Sequence, residues 1–596
     1  MIHFPHDILR QGQEEMISAV KDVLNTKGSL LIHAPTGIGK TAAALAPIVP
    51  ALKAGETIFF LTSRHTQHRI VIETLRQMKA RHGTGIKVAD IIGKRWMCGQ
   101  PHADELMSRD FAEYCRALRE QGSCEYYTNT KTKHRPSVEA NLLASGISAQ
   151  IPTTREIFDE SVSRKLCPYE MACLLAKDAQ VIIADYYYIF DEDIRNNFFN
   201  RISKKLEDCI LVIDEAHNLS SRVRELMSSR LTKFMLARAM KEASNYEEKG
   251  SKVILKELDS NLDHIGRDVK TERYAAMEEL KMDTDNAVDE FEEAATRIRL
   301  KQKRSFIGGI SGFLSAWQGP DEGFTRIISR ELNNLMLSYR CLDPALATRE
   351  ILNSCHSAIL MSATLTPFEM HSDILGVEGK SMALESPFPK ENRLNLIVPE
   401  TTTKFSKRSD EQYMRIAEIC SDIISTVPGN VIIFFPSYRV MHNVYPFLKS
   451  DVPMLVEKQG KPEREKLLRE FSSGHSVLLA VSAGSFGEGI DLKDNIVKAI
   501  IIVGLPLHVP NLETKALINY YDKKFGKGWS YGYTLPAMIK TIQNSGRCIR
   551  SETDKGAIIF LDERYTWPNY FCCFPPEWQL KISRDYKDKL NEFFGR

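Results

Sequence analysis

Between Ser29 and Ile48 the chain passes through a short apolar run, Ser-Leu-Leu-Ile-His, then Ala34-Pro-Thr-Gly-Ile-Gly-Lys-Thr41, then an alanine-rich stretch. A buried strand, a glycine-rich turn and a helix in that order restrict this part of the chain to an α/β arrangement, with the turn at the carboxyl edge of a parallel sheet. Gly37 and Gly39 allow backbone amides to face inward around phosphate oxygens, and the start of the helix offers its positive end to the same anion. Thr36 lines that turn, Lys40 is placed to reach the terminal phosphates, and Thr41 to hold Mg2+. Ala34 stands where the pattern ordinarily has its first glycine. The expected ligand is ATP with Mg2+.

A second apolar run ends in Val212-Ile-Asp-Glu-Ala-His217. Carboxylates emerging at the same sheet edge can divide two tasks: Asp214 holds Mg2+, and Glu215 takes the proton of the attacking water. His217 is expected at the nucleotide as well.

At 596 residues the chain exceeds what one core can organise, so several domains are expected. Strand-like runs recur at Ile58–Leu61, Ile210–Asp214 and Ala358–Met361, and again at 431–435, 477–481, 499–506 and 557–564. They read as two α/β units. Two stretches differ from them. Residues 95–168 are polar and rich in cysteine, and a stretch of that kind commonly needs a staple to fold. From Tyr169 to Gly319 there is no proline, and the part after Ser221 is dense in Glu, Lys, Arg, Ala and Leu at helical spacings. The expected organisation is a first α/β domain in three pieces (1–94, 169–221 and 351–385), a cysteine-rich insertion (95–168), a helical insertion (222–350) and a second α/β domain (386–596).

Composition excludes little. A net charge of +2 with 43% hydrophobic and 26% charged residues is ordinary for a globular protein, and basic residues can be confined to a channel. No apolar run suggests a membrane span or a secretory leader, so a cytoplasmic monomer is expected. In that setting the twelve cysteines are free to bind metal or pack in cores. Soft thiolates suit iron-sulfur clusters and zinc alike, and the absence of a closely spaced Cys pair in 95–168 leans toward a cluster.

Asp-Glu-Ala-His217, Ser362-Ala-Thr364 and Gln543-Asn-Ser-Gly-Arg547-Cys-Ile-Arg550 resemble the signature set of superfamily 2 helicases. Gly-Lys-Arg-Trp-Met-Cys98, Cys167-Pro-Tyr-Glu-Met-Ala-Cys, Leu360–Pro367 and Gly484–Leu492 are similar to the XPD branch of iron-sulfur helicases, relatives of DinG. The resemblance implies two RecA-like motor domains with an iron-sulfur insertion and a helical arch. It also implies that Gln543, Arg547 and Arg550 reach the γ phosphate from the second domain, that Gly487, Glu488 and Asp491 line the cleft there, and that Gln13 contacts the adenine of the nucleotide. Ser362 and Thr364 then couple ATP state to strand movement.

The same resemblance makes Cys98, Cys115, Cys124 and Cys167 the ligands of a 4Fe-4S cluster. Cys173, a short way beyond Cys167, is the cysteine most easily mistaken for one. Single-strand binding needs basic residues beside aromatic platforms. Candidates are Arg64, Arg95, Trp96 and Tyr169, whereas the run Tyr186–Tyr188 reads as core. The implied activity is an ATP-dependent DNA helicase moving 5′ to 3′ on single-stranded DNA and opening forked or tailed duplex. It would act in excision-type DNA repair, alongside repair proteins. An ATP-switched damage-verification protein, or a DinG-like helicase of another pathway, is the alternative.

Overall fold

The structure is a computed structural model that describes residues 2–595 apart from 107, 133–134, 300, 303–304, 332–333, 461–463, 488–495, 508–509 and 550. Glu488, Asp491 and Arg550 lie outside the described residues.

Two seven-stranded sheets, parallel throughout, form the two motor domains. The first has the order Lys380–Ala383, Ser29–His33, Ser357–Ser362, Cys209–Asp214, Thr57–Thr62, Val181–Asp185 and Val88–Asp90. Its central strands are buried nearly end to end because helices cover both faces, whereas the edge strand Lys380–Ala383 is mostly exposed. The pleat divides each strand between the two layers: Leu31, Phe59 and Leu61 pack on one side, and Leu30, Ile32, Ile58 and Phe60 on the other. The second sheet runs Met454–Val456, Val477–Val481, Asn430–Phe435, Val497–Val503, Gly556–Leu561, Arg393–Val398 and Leu580–Ile582.

Register decides where the chemistry collects. Ser29–His33 pairs with Ser357–Ser362 so that His33 stands beside Ser362, and Met361 stands beside Asp214 in the next strand. The turn at Ala34–Gly39, the Ser362–Thr364 segment and the Asp214-Glu215 pair therefore leave one sheet edge side by side.

Between Asp90 and Val181 the chain is mainly helical, with helices at Ser108–Glu120, Glu125–Thr130, Val138–Ser148, Thr154–Ser163 and Pro168–Asp178. Between Asp214 and Ser357 the insertion is helical, as expected, and carries a sheet besides. Helices at Lys233–Asn245, Lys249–Gly266, Thr284–Arg299 and Phe306–Trp317 pack with a four-stranded antiparallel sheet ordered Ser229–Thr232, Asn334–Cys341, Phe324–Glu331, Glu272–Tyr274. Thr325-Arg-Ile-Ile-Ser-Arg and Leu335-Met-Leu-Ser-Tyr carry only a partial period of two, and the surrounding density of charged helix formers hides it. Ile328, Leu335, Leu337 and Tyr339 of the sheet share a core with Leu255, Phe291 and Trp317 of the helices.

This insertion belongs to the first domain in sequence but leans on the second. Tyr274 donates its hydroxyl proton to Leu512 O at 3.1 Å, and Arg340 pairs with Glu513 at 2.9 Å. It also meets the cysteine-rich insertion, where Arg299 lies 3.6 Å from Glu113.

Candidate active site

A cleft of about 930 Å³ opens between the two parallel sheets, lined on one side by Pro35–Gly37, Gly39–Thr41, Asp214, Glu215 and His217 and on the other by Gly487, Gln543 and Arg547. Gly37 and Gly39 have φ values of 83° and 81°, a region open to glycine at little cost. At Gly39 a Cβ would also stand 2.6 Å from Gln13 Nε2. The helix Lys40–Ile48 begins directly after the turn. Lys40 Nζ donates to the carbonyl oxygens of Ala34 at 3.1 Å and Pro35 at 3.4 Å, which hold the ammonium at the mouth of the turn.

Gln13 is almost fully buried; its amide donates to Ile38 O at 2.7 Å and accepts from Arg10 N–H at 2.8 Å. It braces the phosphate turn from beneath and does not line the cleft.

Asp214 lies deep in the cleft. Burial, and then the neighbouring Glu215, raise its pKa to about 7, although Lys40 pulls it down. A divalent cation beside it would restore the carboxylate, as expected of a Mg2+ ligand. Glu215 has φ 50° and ψ 43°, a left-handed conformation that costs a non-glycine residue energy. Tyr186, buried behind it, donates its hydroxyl to the carbonyl oxygens of both Asp214 and Glu215. Tyr186 is therefore a structural residue, while Tyr187 is exposed and Tyr188 is buried with its hydroxyl on Ile92 O.

A polar chain leads away from Glu215. Ser362 Oγ donates to Glu215 Oε2 at 3.2 Å, and His217 Nδ1 lies 2.6 Å from Ser362 Oγ. Thr364 N–H donates to Ser362 Oγ at 3.1 Å, and Thr364 Oγ1 accepts from Gln543 Nε2 at 3.2 Å. The chain starts at the carboxylate expected to handle water and ends on the second domain. Thr36 Oγ1 makes a second crossing, to Gly546 O at 3.5 Å. Arg547 is buried, with Nη2 donating to Gly487 O at 2.5 Å. Sequence motifs pointed to most of these groups. They did not point to Arg393, Phe388 or Trp578, which line the far end of the cleft and carry no motif.

The four candidate cluster cysteines cap or interrupt short helices. Cys98 ends the turn Lys94–Met97, Cys115 lies within Ser108–Glu120, and Cys124 and Cys167 occupy the N-caps of Glu125–Thr130 and Pro168–Asp178. Helix N-termini favour thiolate. Burial raises the Cys98 thiol to about 11, and Cys115 and Cys124 raise it further by repulsion; burial and Glu170 raise Cys167, with Cys115 adding to the shift. The four therefore share one electrostatic neighbourhood. Cys173 lies near the same Glu170 and Lys94, but no other cysteine is among the groups that act most strongly on it. Burial raises it to about 12, and the groups acting on it are Glu170, Arg201, Tyr169 and Lys94. Among the described residues no three His, Cys, Asp or Glu side chains converge on the position of a single ion. Soft thiolates of this kind suit iron-sulfur clusters and zinc alike.

The candidate nucleic-acid contacts separate. Trp96 is 45% exposed, with the Arg95 guanidinium 4.4 Å over its ring and Arg95 Nη1 anchored on Leu106 O at 2.7 Å. Tyr169 is buried in the first core because the helix Pro168–Asp178 turns that face inward, so it offers no platform here. Arg64 borders the nucleotide cleft.

Two facing parallel sheets, with a glycine-rich turn and a carboxylate pair on one and a glutamine and arginine presented by the other, make a two-lobed site of the kind that binds nucleoside triphosphates. The DEAD_2 family matches residues 60–236, and the family described as "Helicase C-terminal domain" matches residues 420–580. The ATP-dependent DNA helicase XPD of Sulfolobus acidocaldarius is 26% identical over 94% of this chain and 96% of its own length. The ATP-dependent DNA helicase CHL1 of Saccharomyces cerevisiae is 25% identical over 85% of this chain and 66% of its own. The general transcription and DNA repair factor IIH helicase subunit XPD of Dictyostelium discoideum is 21% identical over the whole chain and 91% of its own. A solved XPD helicase structure superimposes with a TM-score of 0.70 at 23% identity, covering 97% of this chain and all of the other. Over nearly its whole length the chain is similar to the XPD branch of superfamily 2 helicases, and with its DEAD_2 and helicase C-terminal regions it is an ATP-hydrolysing enzyme. Among the described residues no helix is long and apolar enough to cross a membrane.

Proposed function

We propose that the protein couples hydrolysis of Mg2+-bound ATP to 5′-to-3′ movement along single-stranded DNA and separates forked or tailed duplex, as a cytoplasmic monomer working with repair proteins in excision-type repair. The observation that carries this reading is the hydrogen-bond chain from Glu215 through Ser362 and Thr364 to Gln543. A carboxylate connected to the opposite domain can make the state of the nucleotide felt as domain position, which a motor requires and a simple hydrolase does not. The names of the relatives support DNA as the track and repair as the setting.

In this reading Lys40 binds the terminal phosphates, Asp214 and Thr41 hold Mg2+, and Glu215 accepts the proton of water. Arg547 and Arg550 stabilise charge on the transferring phosphoryl group once the lobes close. Closure would free Arg547 from Gly487 O. Cys98, Cys115, Cys124 and Cys167 would hold a 4Fe-4S cluster, which would tie three element ends to the helix Ser108–Glu120 and so fix the surface that carries Arg95 and Trp96. Trp96 and Arg95 would stack a base and meet a phosphate.

The test is strand separation on duplexes with a 5′ or a 3′ tail in the presence of ATP and Mg2+. Activity on the 5′ tail alone supports the proposal, and activity on the 3′ tail alone reverses the polarity. ATP-dependent retention at a lesion without strand separation would assign damage verification instead.

A further inference from the structure

Besides the phosphate machinery the cleft is lined by Phe388, Ile549, Ile558, Pro575 and Trp578, a largely apolar and aromatic set. Arg393, the first residue of the strand Arg393–Val398, lines it with them at that end. Its guanidinium lies 3.7 Å from the centre of the Trp578 ring, and Nε donates to Asn395 Oδ1 at 2.8 Å. Nη2 is buried and, among the described residues, meets no hydrogen-bond acceptor. Burial lowers the Arg393 pKa to about 10, although Cys548 and Glu577 pull it up. A buried donor left without an acceptor is costly, and native proteins keep one chiefly where a ligand completes it.

Resting on the ATP-site reading above, we infer that Arg393 and Trp578 form the subsite for the nucleotide base, with Arg393 Nη2 donating to an acceptor on the base edge. Trp578 keeps the guanidinium plane fixed by stacking, as arginine on an aromatic ring does. A base suits this end better than a second anion does, because the walls are apolar and flat and Glu577 already lines the same end with a negative charge. That carboxylate can accept from an exocyclic amine, which favours adenine over a base carrying a carbonyl there. The second motor domain would then grip the nucleotide at both ends, by Gln543 and Arg547 at the phosphates and by Arg393 at the base.

The test compares ATP with inorganic tripolyphosphate, which has the phosphate chain and no base, by calorimetric titration of the full chain with Mg2+. Wild type should bind ATP more tightly than tripolyphosphate. Arg393→Met, similar in length but without donors, should weaken ATP about tenfold, the loss of one charge-assisted hydrogen bond, and leave tripolyphosphate unchanged. Arg393→Lys keeps the charge without the planar fork, should show most of the same loss, and serves if Arg393→Met does not fold. Equal loss of both ligands, unchanged ATP affinity, or a wild type that binds the two equally would overturn the inference. A wild type that binds neither would overturn the ATP-site reading itself.

Discussion

Gln543 Nε2 of the second motor domain donates to Thr364 Oγ1 of the first at 3.2 Å. Thr364 hangs from Ser362, and Ser362 Oγ touches Glu215, so a residue on one lobe is two side chains removed from the proposed general base on the other. Removing the acceptor should uncouple the lobes without touching the nucleotide. Thr364→Val is expected to retain ATP binding and unstimulated turnover but lose most of the stimulation by single-stranded DNA. Steady-state hydrolysis with and without DNA checks this, and full stimulation would show that the bridge carries no signal.

Glu215→Gln keeps the shape of the side chain and can still accept from Ser362, but it cannot take a proton from water. Turnover should fall by about 10² or more with ATP affinity preserved. Lys40→Ala should abolish hydrolysis while the thermal midpoint hardly changes, because among the described residues the ammonium's hydrogen bonds go to two loop carbonyls. A Glu215→Gln variant that loses nucleotide binding would mean that the strained backbone at this position depends on the carboxylate.

Cys167 and Cys173 lie on one helix, but only Cys167 shares its surroundings with Cys115. Cys167→Ser is expected to lose iron and visible absorbance and to lose unwinding, while keeping much of the ATPase. Cys173→Ser replaces a buried thiol by a near-isosteric hydroxyl and should keep both iron and colour. Iron content and absorbance of the two purified variants decide the matter, and the reverse pattern would move the ligand set.

Two buried histidines give the fold an acid-sensitive edge. Burial, with Lys40 adding to it, lowers His33 to about 4; burial, with His217 adding to it, lowers His371 to about 3. Above pH 6.5 both are neutral whether folded or unfolded, so they cost nothing. As pH falls below 6.5 the unfolded chain gains protons that the folded chain refuses, so stability drops continuously toward pH 4. The thermal midpoint should fall across that window, and His33→Asn should flatten part of the fall. An unchanged slope would show that other groups govern acid sensitivity.

Trp96→Ala should weaken binding of single-stranded DNA by about 1–3 kcal/mol, the usual loss for one stacking platform, whereas Tyr169→Phe should have little effect because the ring is buried. Fluorescence anisotropy with a labelled oligonucleotide separates them. Equal losses would return Tyr169 to the binding surface.

Local order in the chain was enough to define the nucleotide turn, the Asp214-Glu215 pair and the core strands, because each depends on a few adjacent residues. The apolar run before Ala34, the glycines at 37 and 39 and the helix formers after Lys40 all favour the same local geometry. What the sequence could not determine depends on register and on burial. The pairing of His33 with Ser362 and of Met361 with Asp214 brings together side chains far apart in the chain, and no spacing rule encodes it. The antiparallel sheet of the second insertion escaped notice because its alternation is weak and its strands pair across long separations. Tyr169 carried the composition of a DNA platform, yet the helix that begins at Pro168 turns it into the core. Arg393 and Trp578 belong to no motif; only the folding of the second sheet against the tail of the chain places a buried guanidinium beside an indole at the end of the cleft.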